Sequence, residues 1–132
     1  MGVFTEDEVT FLASQPLARM ATASLSGQPD VAVVGFGLDV DALVSGGLDL
    51  TKTIRYRNLQ TNPRATIIID ELVTVDPWSP RGVKARGPAT LEHHEGRLRI
   101  RIVPEVIWSW GINHDAPKHF ATIERRAVGA HE

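Results

Sequence analysis

The segment "TKTIRYRNLQTNPR", residues 51–64, carries four of the fourteen cations of a chain whose net charge is −2. Lys52 and Arg55 are three residues apart at the start of a predicted helix, so we expect them to share one helix face. Cations at that end oppose the helix dipole at a cost of about 0.3–1 kcal/mol each. An anion held by the free backbone N–H groups and both side chains would reverse that sign. The segment therefore favours a phosphate site, with a solvated surface pair as the alternative.

Two glycine-containing stretches, "GFG" at 35–37 and "SGG" at 45–47, allow close approach of the backbone to a ligand. Neither extends to a G-x-G-x-x-G or Walker pattern, which excludes the Rossmann and P-loop nucleotide sites. The alternative is that these glycines only provide curvature at the ends of strands in a small barrel.

Three tryptophans, Trp78, Trp108 and Trp110, are candidates for stacking on a planar ligand or for a dimer interface. The alternative is a place in the barrel core, which we expect for at least one of them. Lys84 and Arg86 would point to the same face of a strand, which is usually a solvated arrangement.

Metal and nucleophile chemistry find little support in the sequence. His93, His94 and Glu95 are adjacent in a predicted turn, where side chains diverge, and His114 and His119 fall in a polar C-terminal stretch, so we expect no metal site. The chain has no cysteine and no G-x-S-x-G elbow, and no nucleophile is paired with a base.

Composition describes one soluble globular domain over residues 1–132, with 42% hydrophobic and 23% charged residues. No apolar run approaches the ~20 residues that a bilayer requires, and no secretory signal opens the chain, so we expect no membrane association and a cytoplasmic location. A net charge of −2 argues against a general nucleic-acid binder.

The predicted elements must position these candidates. Thr5 and Glu8 form a capping box for a first helix that ends near Ser14. A second helix is predicted from about residue 50 to 61, with Asp49 or Thr51 as N-cap and one apolar face of Leu50, Ile54 and Leu59.

Six or seven short strands complete the pattern. "LARMATAS" and "PDVAVVGF" pair through a glycine turn, "ALVSGG" is a short strand, and the continuous "RATIIID" favours a strand buried on both faces. "TVDPWSPRG" reads as a loop, "VKARGPATLE" and "RLRIRIVPE" form a hairpin around "HHEGR", and "EVIWSWGI" is the last strand before a polar tail. The prediction is a mainly β fold, an antiparallel β-barrel with helical covers.

With these motifs in place, the chain resembles the pyridoxamine 5′-phosphate oxidase-like superfamily of split β-barrels, the FMN-binding fold. The resemblance rests on "LASQPLARMATASLSGQPDVAVVGF" and "RYRNLQTNPRATIIIDE", and covers most of the sequence. The narrower elements "PWSPRG" and "SWG" resemble the actinobacterial branch that uses the deazaflavin coenzyme F420, which includes reductases acting on tetracycline precursors.

The resemblance implies a homodimer with the cofactor in the cleft between subunits. The cofactor phosphate would bind basic residues of the helix before "NPR". Many relatives have lysine where this chain has Arg55. The implied cofactor-binding residues are Lys52, Thr53, Arg55 and Arg57 for the phosphate, Thr22, Val33, Val34 and Gly35 along the ring, and Trp78, Arg81 and Arg86 from the partner subunit.

The implied activity is transfer of hydride from the reduced deazaflavin to a small organic acceptor, which needs no catalytic dyad. Arg57 and Arg64 would be available for the coenzyme's anionic tail. Three alternatives remain open: an FMN-dependent oxidoreductase of the same fold, a non-catalytic module that binds flavin or haem, and a protein without a cofactor.

Overall fold

The computed structural model describes residues 2–112 and 123–128. Within them, the chain forms two α-helices, the first followed by four strands and the second by five. The helices are α1 Glu6–Ala13 and α2 Ile54–Thr61, and the strands are β1 Leu17–Ala23, β2 Pro29–Gly35, β3 Gly37–Asp39, β4 Ala42–Ser45, β5 Arg64–Leu72, β6 Pro80–His94, β7 Arg97–Ile102, β8 Val106–Trp110 and β9 Ile123–Ala127. His114 and His119 lie outside the described residues.

The strands are antiparallel and form two sheets that share β6. The first sheet has the order β2-β1-β5-β6-β8-β9, and the second has the order β3-β4-β7-β6. Residues 80–88 of β6 pair with β5, and residues 89–94 pair with β7. At the transition, a Cβ on Gly87 would overlap the carbonyl oxygen of Val103, so only glycine fits there. Division of one long strand between two sheets gives the split β-barrel that the sequence predicted.

The core lies between the two sheets and is mostly aliphatic. Its largest fully buried side chains include Met20, Leu43, Ile67, Ile100 and Ile107. Each such side chain stabilises the fold by roughly 1.5–3 kcal/mol relative to an exposed one. No described helix has the length and apolar character that crossing a bilayer requires.

The N-terminal helix begins as the sequence predicted. Thr5 Oγ1 accepts a hydrogen bond from the Glu8 N–H at 3.1 Å, and Glu8 Oε1 accepts one from the Thr5 N–H at 2.9 Å. Ser14 is the C-cap, and Pro16 follows it. The predicted capping box is therefore confirmed, as is the β6–β7 hairpin.

The second helix begins later than predicted. Leu50–Lys52 is a single 3₁₀ turn, and Thr53, with extended backbone, is the N-cap of α2. Thr53 Oγ1 accepts a hydrogen bond from the Tyr56 N–H and donates one to the Leu50 carbonyl, so one hydroxyl closes both turns. Thr51 as N-cap was wrong. Asp49 is the N-cap of the 3₁₀ turn, without a side-chain cap hydrogen bond, and not of α2. Ile54 is half exposed, so the predicted apolar face was wrong there as well.

Buried polar contacts anchor α2 against the first sheet. Asn58 Nδ2 donates a hydrogen bond to Thr22 Oγ1 on β1 at 3.0 Å, and both side chains are buried. Asn62 Nδ2 donates to the Ala23 carbonyl at 3.3 Å. Together with the buried Leu59, these contacts fix where the helix begins relative to the sheet.

The sequence predicted that the isoleucine-rich β5 is buried on both faces, but in the structure only one face is buried. Ala65, Ile67 and Ile69 enter the core, whereas Thr66 and Ile68 are half buried on the side that we call the outer face of the first sheet. Within one chain, β5 therefore has one covered face and one partly open face.

Three further predictions about strands were wrong. Residues 123–127, predicted as part of a polar tail, form β9 and pair with β8. Residues 80–82, predicted as loop, extend β6, and the short strand β3 was not predicted.

The polar strand β9 is held by an ion pair with α1. Arg126 donates hydrogen bonds to both carboxylate oxygens of Glu8, at 3.1 and 2.7 Å, and to the Val3 carbonyl at 2.7 Å. Glu8 is 1% exposed. This contact joins the two ends of the described chain, and its counter-charge satisfies a carboxylate that would otherwise be buried alone.

Replacement of Arg126 should therefore destabilise the fold. We expect Arg126→Leu to lower the free energy of unfolding by roughly 3 kcal/mol, because a buried carboxylate loses its counter-charge. The measurement is urea denaturation followed by circular dichroism. The neighbouring Arg125→Leu is the matched control, with an expected change within about 1 kcal/mol, since Arg125 is exposed and its described contact is with the Trp108 ring. Equal losses in the two variants would contradict the role given to Arg126.

Candidate cofactor site

The candidate site is centred on Arg55, in the first turn of α2. Its guanidinium reaches back to the glycine turn after β4, where Nη2 lies 3.1 Å from the position a Cβ on Gly47 would take. Gly47 has a φ of +145°, a conformation that side chains rarely adopt. Gly47 therefore matters twice, for its backbone conformation and for the space that it leaves to the guanidinium.

The electrostatic environment of Arg55 is unusual for an arginine near the surface. Its Nε is buried and has no hydrogen-bond partner among the described residues. Burial lowers the pKa of Arg55, and the negative charge of Asp30 partly opposes this. A desolvated cation with an unused donor is a place where an anion would supply what the protein lacks.

The neighbouring cations differ in placement from the prediction. Lys52 lies in the 3₁₀ turn ahead of the N-cap, so Lys52 and Arg55 do not share a face of α2. Arg57 is exposed, and neither Lys52 nor Arg57 forms an ion pair with a described residue. Thr53 stands at the helix start as predicted, with its hydroxyl already engaged in the cap.

An open cleft of about 1060 Å³ lies beside this helix start. Its walls are the β2–β3 junction, the segment from Val44 to Thr51, and the end of the β6–β7 hairpin. The lining residues include Gly35, Phe36, Gly47, His94 and Arg97. The predicted glycine stretches thus meet at one cleft, and Gly47 joins that cleft to Arg55.

Ser45 is a residue of this cleft that the sequence reasoning missed. It is buried, and its hydroxyl donates a hydrogen bond to the Gly35 carbonyl at 2.7 Å. The bond fixes the end of β2 against β4, where the cleft opens. In the sequence, the position of Ser45 directly before Gly46 and Gly47 could have indicated that it lies at the cleft.

The predicted ring-binding residues separate by side-chain direction. Val33 is 62% exposed on the outer face of the first sheet, whereas Val34 is buried in the core. Thr22 is also buried, and its hydroxyl accepts the hydrogen bond from Asn58. In this arrangement Val33 and the backbone of Gly35 are accessible to a ligand, and the side chains of Val34 and Thr22 support the sheet and helix.

The described contacts of the predicted partner-side residues Arg81 and Arg86 are with elements other than α2. Trp78 is half exposed in the turn before β6. Arg81 donates a hydrogen bond to Glu71 at 2.5 Å and lies over the Phe11 ring. A hydrogen bond from Gln15, followed by the contact with Arg81, holds the pKa of Glu71 below its usual value. Arg81 is thus already neutralised.

Arg86 lies with Trp108 on the outer face of the first sheet. Trp108 and Trp110 are half buried and Trp78 is half exposed, so the expectation that one tryptophan belongs to the core was wrong. Among the described residues, no group of three or more histidine, aspartate or glutamate side chains is arranged to hold a metal ion.

Comparison with known proteins assigns the chain to a family. The chain matches the pyridoxamine 5′-phosphate oxidase family over residues 4–127. It is 32% identical over 122 residues to the 5a,11a-dehydrotetracycline/5a,11a-dehydrooxytetracycline reductase of Streptomyces rimosus, an alignment that covers 85% of this chain and 86% of the reductase.

Solved structures agree at the level of fold. A haem-binding protein from Mycobacterium smegmatis superposes with a TM-score of 0.73 at 19% identity; the alignment covers 92% of this chain and 57% of that protein's length. An FAD-binding protein from the same organism superposes with a TM-score of 0.63 at 17% identity, covering 80% of this chain and 91% of the other. The sequence match and the split barrel together establish that the chain belongs to the pyridoxamine 5′-phosphate oxidase family.

Proposed function

We propose that this protein is a cytoplasmic oxidoreductase that uses coenzyme F420 to reduce a small organic acceptor, with the cofactor bound between two subunits. The observation that carries the proposal is Arg55, a partly buried guanidinium whose Nε has no partner at the start of a helix. The reductase name of the Streptomyces relative supports the reaction type. Flavin-binding proteins of the same fold support a flavin-type cofactor.

Arg55 would receive the cofactor phosphate. The first N–H groups of α2 have no carbonyl one turn earlier within the helix, and the dipole at this end is positive. Lys52 and Arg57 add positive charge without a described counter-ion. A phosphate here would relieve the repulsion among these cations and give the Nε of Arg55 an acceptor.

The rest of the cleft would orient the ring. Bound there, a reduced deazaflavin supplies a hydride for transfer to the acceptor. Val33, on the outer face two residues before the cleft-lining Gly35, offers an apolar surface, and the Gly35 backbone, held by Ser45, allows close approach. The chain's contribution is to bind, orient and exclude water, which requires no catalytic dyad.

The second subunit would cover the outer face of the first sheet. Leu17, Val31, Val33 and Ile123 are each 50–66% exposed on that face, and Ile68 is half buried between them. Leu17, Val31 and Val33 group on the adjacent strands β1 and β2, and exposed apolar side chains grouped in this way are typical of an interface. A two-fold dimer uses the same patch on both subunits, and this face extends over six strands.

Coenzyme F420 rather than FMN is proposed because of cations beyond the phosphate site. Arg57 has no described counter-ion and is free for the anionic tail of the deazaflavin coenzyme. Arg64, the other predicted tail residue, bonds Glu105 at 2.5 Å and is therefore less available than the sequence predicted.

A non-catalytic haem- or flavin-binding module is the second candidate. The observation that favours it is His94, which lines the cleft and provides an imidazole there. Titration with haem beside the two flavin-type cofactors separates the candidates, because a binding module would take up haem without turnover of reduced coenzyme.

Removal of the Arg55 charge should weaken cofactor binding. We expect Arg55→Ala to raise the Kd of coenzyme F420 and of FMN by roughly 10- to 150-fold, the range for loss of a charge-assisted hydrogen bond. The measurement is titration followed by coenzyme fluorescence. Arg101→Ala is the matched control, since Arg101 is paired with Asp39 on the second sheet. Unchanged affinity in Arg55→Ala would remove Arg55 from the site.

Substitution at Arg57 should distinguish the two cofactors. We expect Arg57→Gln to weaken coenzyme F420 binding by about three- to fivefold, the scale of an exposed charge pair, and to leave FMN binding unchanged. Arg64→Gln should have the smaller effect because its charge is already matched by Glu105. Parallel titrations of both cofactors provide the measurement, and equal losses for FMN and the deazaflavin would refute the cofactor assignment.

A charge on the outer face should dissociate the dimer. We expect Val33→Asp to shift the protein from dimer to monomer in sedimentation equilibrium, because burying an unpaired carboxylate in an apolar interface is costly. Val40→Asp is the control, since Val40 is 80% exposed in the turn between β3 and β4 and is not on the first sheet. A monomeric parent protein, or a Val33→Asp variant that stays dimeric, would contradict the proposed interface.

A further inference from the structure

Trp108 on β8 is surrounded by three cations from neighbouring strands. Lys84 Nζ lies 4.3 Å from its ring centroid, and the Cζ atoms of Arg86 and Arg125 lie at 5.1 and 5.8 Å. The register places Lys84 and Arg125 directly opposite Trp108 on its two sides. We call these four residues the Trp108 cluster; it lies on the outer face of the first sheet.

The cluster lacks the counter-charges that accompany most other arginines. The arginine ion pairs among the described residues are Arg19–Asp70, Arg64–Glu105, Arg81–Glu71, Arg99 and Arg101 with Asp39 and Glu92, and Arg126–Glu8. Lys84, Arg86 and Arg125 form no such pair with any described residue. Three like charges around one ring repel one another, and cation–π contact offsets this only in part.

We propose that the Trp108 cluster binds the acceptor substrate, and that this substrate is a planar organic anion such as an aromatic carboxylate, phenolate or enolate. A flat conjugated molecule would take the place of the flexible Lys84 ammonium on the indole face, and the guanidinium groups are forked donors that match carboxylate-type oxygens. A phosphate alone would leave the indole unused, and a neutral ring would leave three charges unmatched. The combination fits a ligand that is both flat and acidic.

Sheet geometry relates the cluster to the cofactor site. Within one chain, the cluster lies on the outer face, whereas the buried Thr22 and Asn58 hold α2 on the inner side of the same sheet. Four strand spacings, about 19 Å, separate β2 from β8 across that face. A two-fold axis near β5 would bring the cluster of one subunit opposite Val31 and Val33 of the other. This step rests on the proposed dimeric function.

The test measures binding of a flat acid to the cofactor-free protein. The probe is 2-naphthoate, with neutral 2-naphthamide as its isosteric partner, each titrated by calorimetry and by quenching of tryptophan fluorescence. We expect the acid to bind about tenfold more tightly than the amide, and more weakly as salt is raised. Equal affinities for the acid and the amide would overturn the proposal.

Variants locate the binding. Arg125→Gln and Lys84→Gln should each weaken 2-naphthoate binding by roughly threefold or more, the scale of an exposed charge contact. Trp108→Leu should abolish the quenching. Arg101→Gln, a paired cation on the second sheet, should change nothing. No effect of Arg125→Gln, or a loss as large in Arg101→Gln, would overturn the assignment, with the fold of each variant checked by urea denaturation.

A coenzyme titration of Arg125→Gln separates this inference from the function on which it rests. Unchanged affinity for coenzyme F420 together with weaker 2-naphthoate binding supports an acceptor site. A loss of coenzyme affinity equal to the loss of 2-naphthoate affinity would assign the cluster to the cofactor's tail and overturn the proposal. If the parent protein binds 2-naphthoate through the cluster but binds no coenzyme, the proposed function fails and the anion site remains.

Discussion

The desolvation of the Arg55 guanidinium is the constraint on which the candidate site depends. A buried donor without an acceptor costs a fold about 1–3 kcal/mol, so an isolated chain is less stable for having it. The surroundings hold this arrangement in place. Gly47 leaves space for the guanidinium, Thr53 fixes where the helix begins, and Asn58 ties the helix to Thr22. Such a cost is typical of binding sites, where the ligand supplies the missing partner.

The described cations divide into a paired set and an unpaired set, and the division follows location. Arg19, Arg64, Arg81 and Arg126 each have a carboxylate partner that links two elements of the fold. Most of the unpaired cations lie in two places, the start of α2 and the Trp108 cluster. In a chain of net charge −2, carboxylates are not scarce, so the lack of ion pairs with described residues at these two places is a local feature and not a consequence of composition. Near Arg55, Asp30 contributes its negative charge but forms no ion pair with it.

Local sequence patterns predicted local structure well, and failed where distant residues decide. The Thr5–Glu8 capping box needs only four consecutive residues. By contrast, the sequence of β9 is polar and was interpreted as a tail. The contact that holds it, between Arg126 and Glu8, joins residues 118 positions apart and is not visible in a local pattern. Three cap-forming residues stand within five positions, Asp49, Thr51 and Thr53, and only packing against β1 selects the last. The family resemblance indicated the basic helix. The unpartnered Nε of Arg55 and the hydrogen bond from Ser45 to Gly35 depend on three-dimensional structure and could not be predicted from it.

The isoleucine run of β5 shows why a single chain gives an incomplete answer. A continuous apolar pattern predicts burial on both faces, yet one face of β5 is only partly covered within the chain. The apolar pattern and the structure agree if a second subunit covers the outer face. An apolar residue pattern reflects burial in the complete assembly, including surfaces that are open in an isolated subunit. The exposed Val31 and Val33 on β2 and the cations around Trp108 lie on either side of that strand. A two-fold axis near β5, as in the proposed dimer, would bury Ile68 and bring β2 of one subunit opposite the Trp108 cluster of the other.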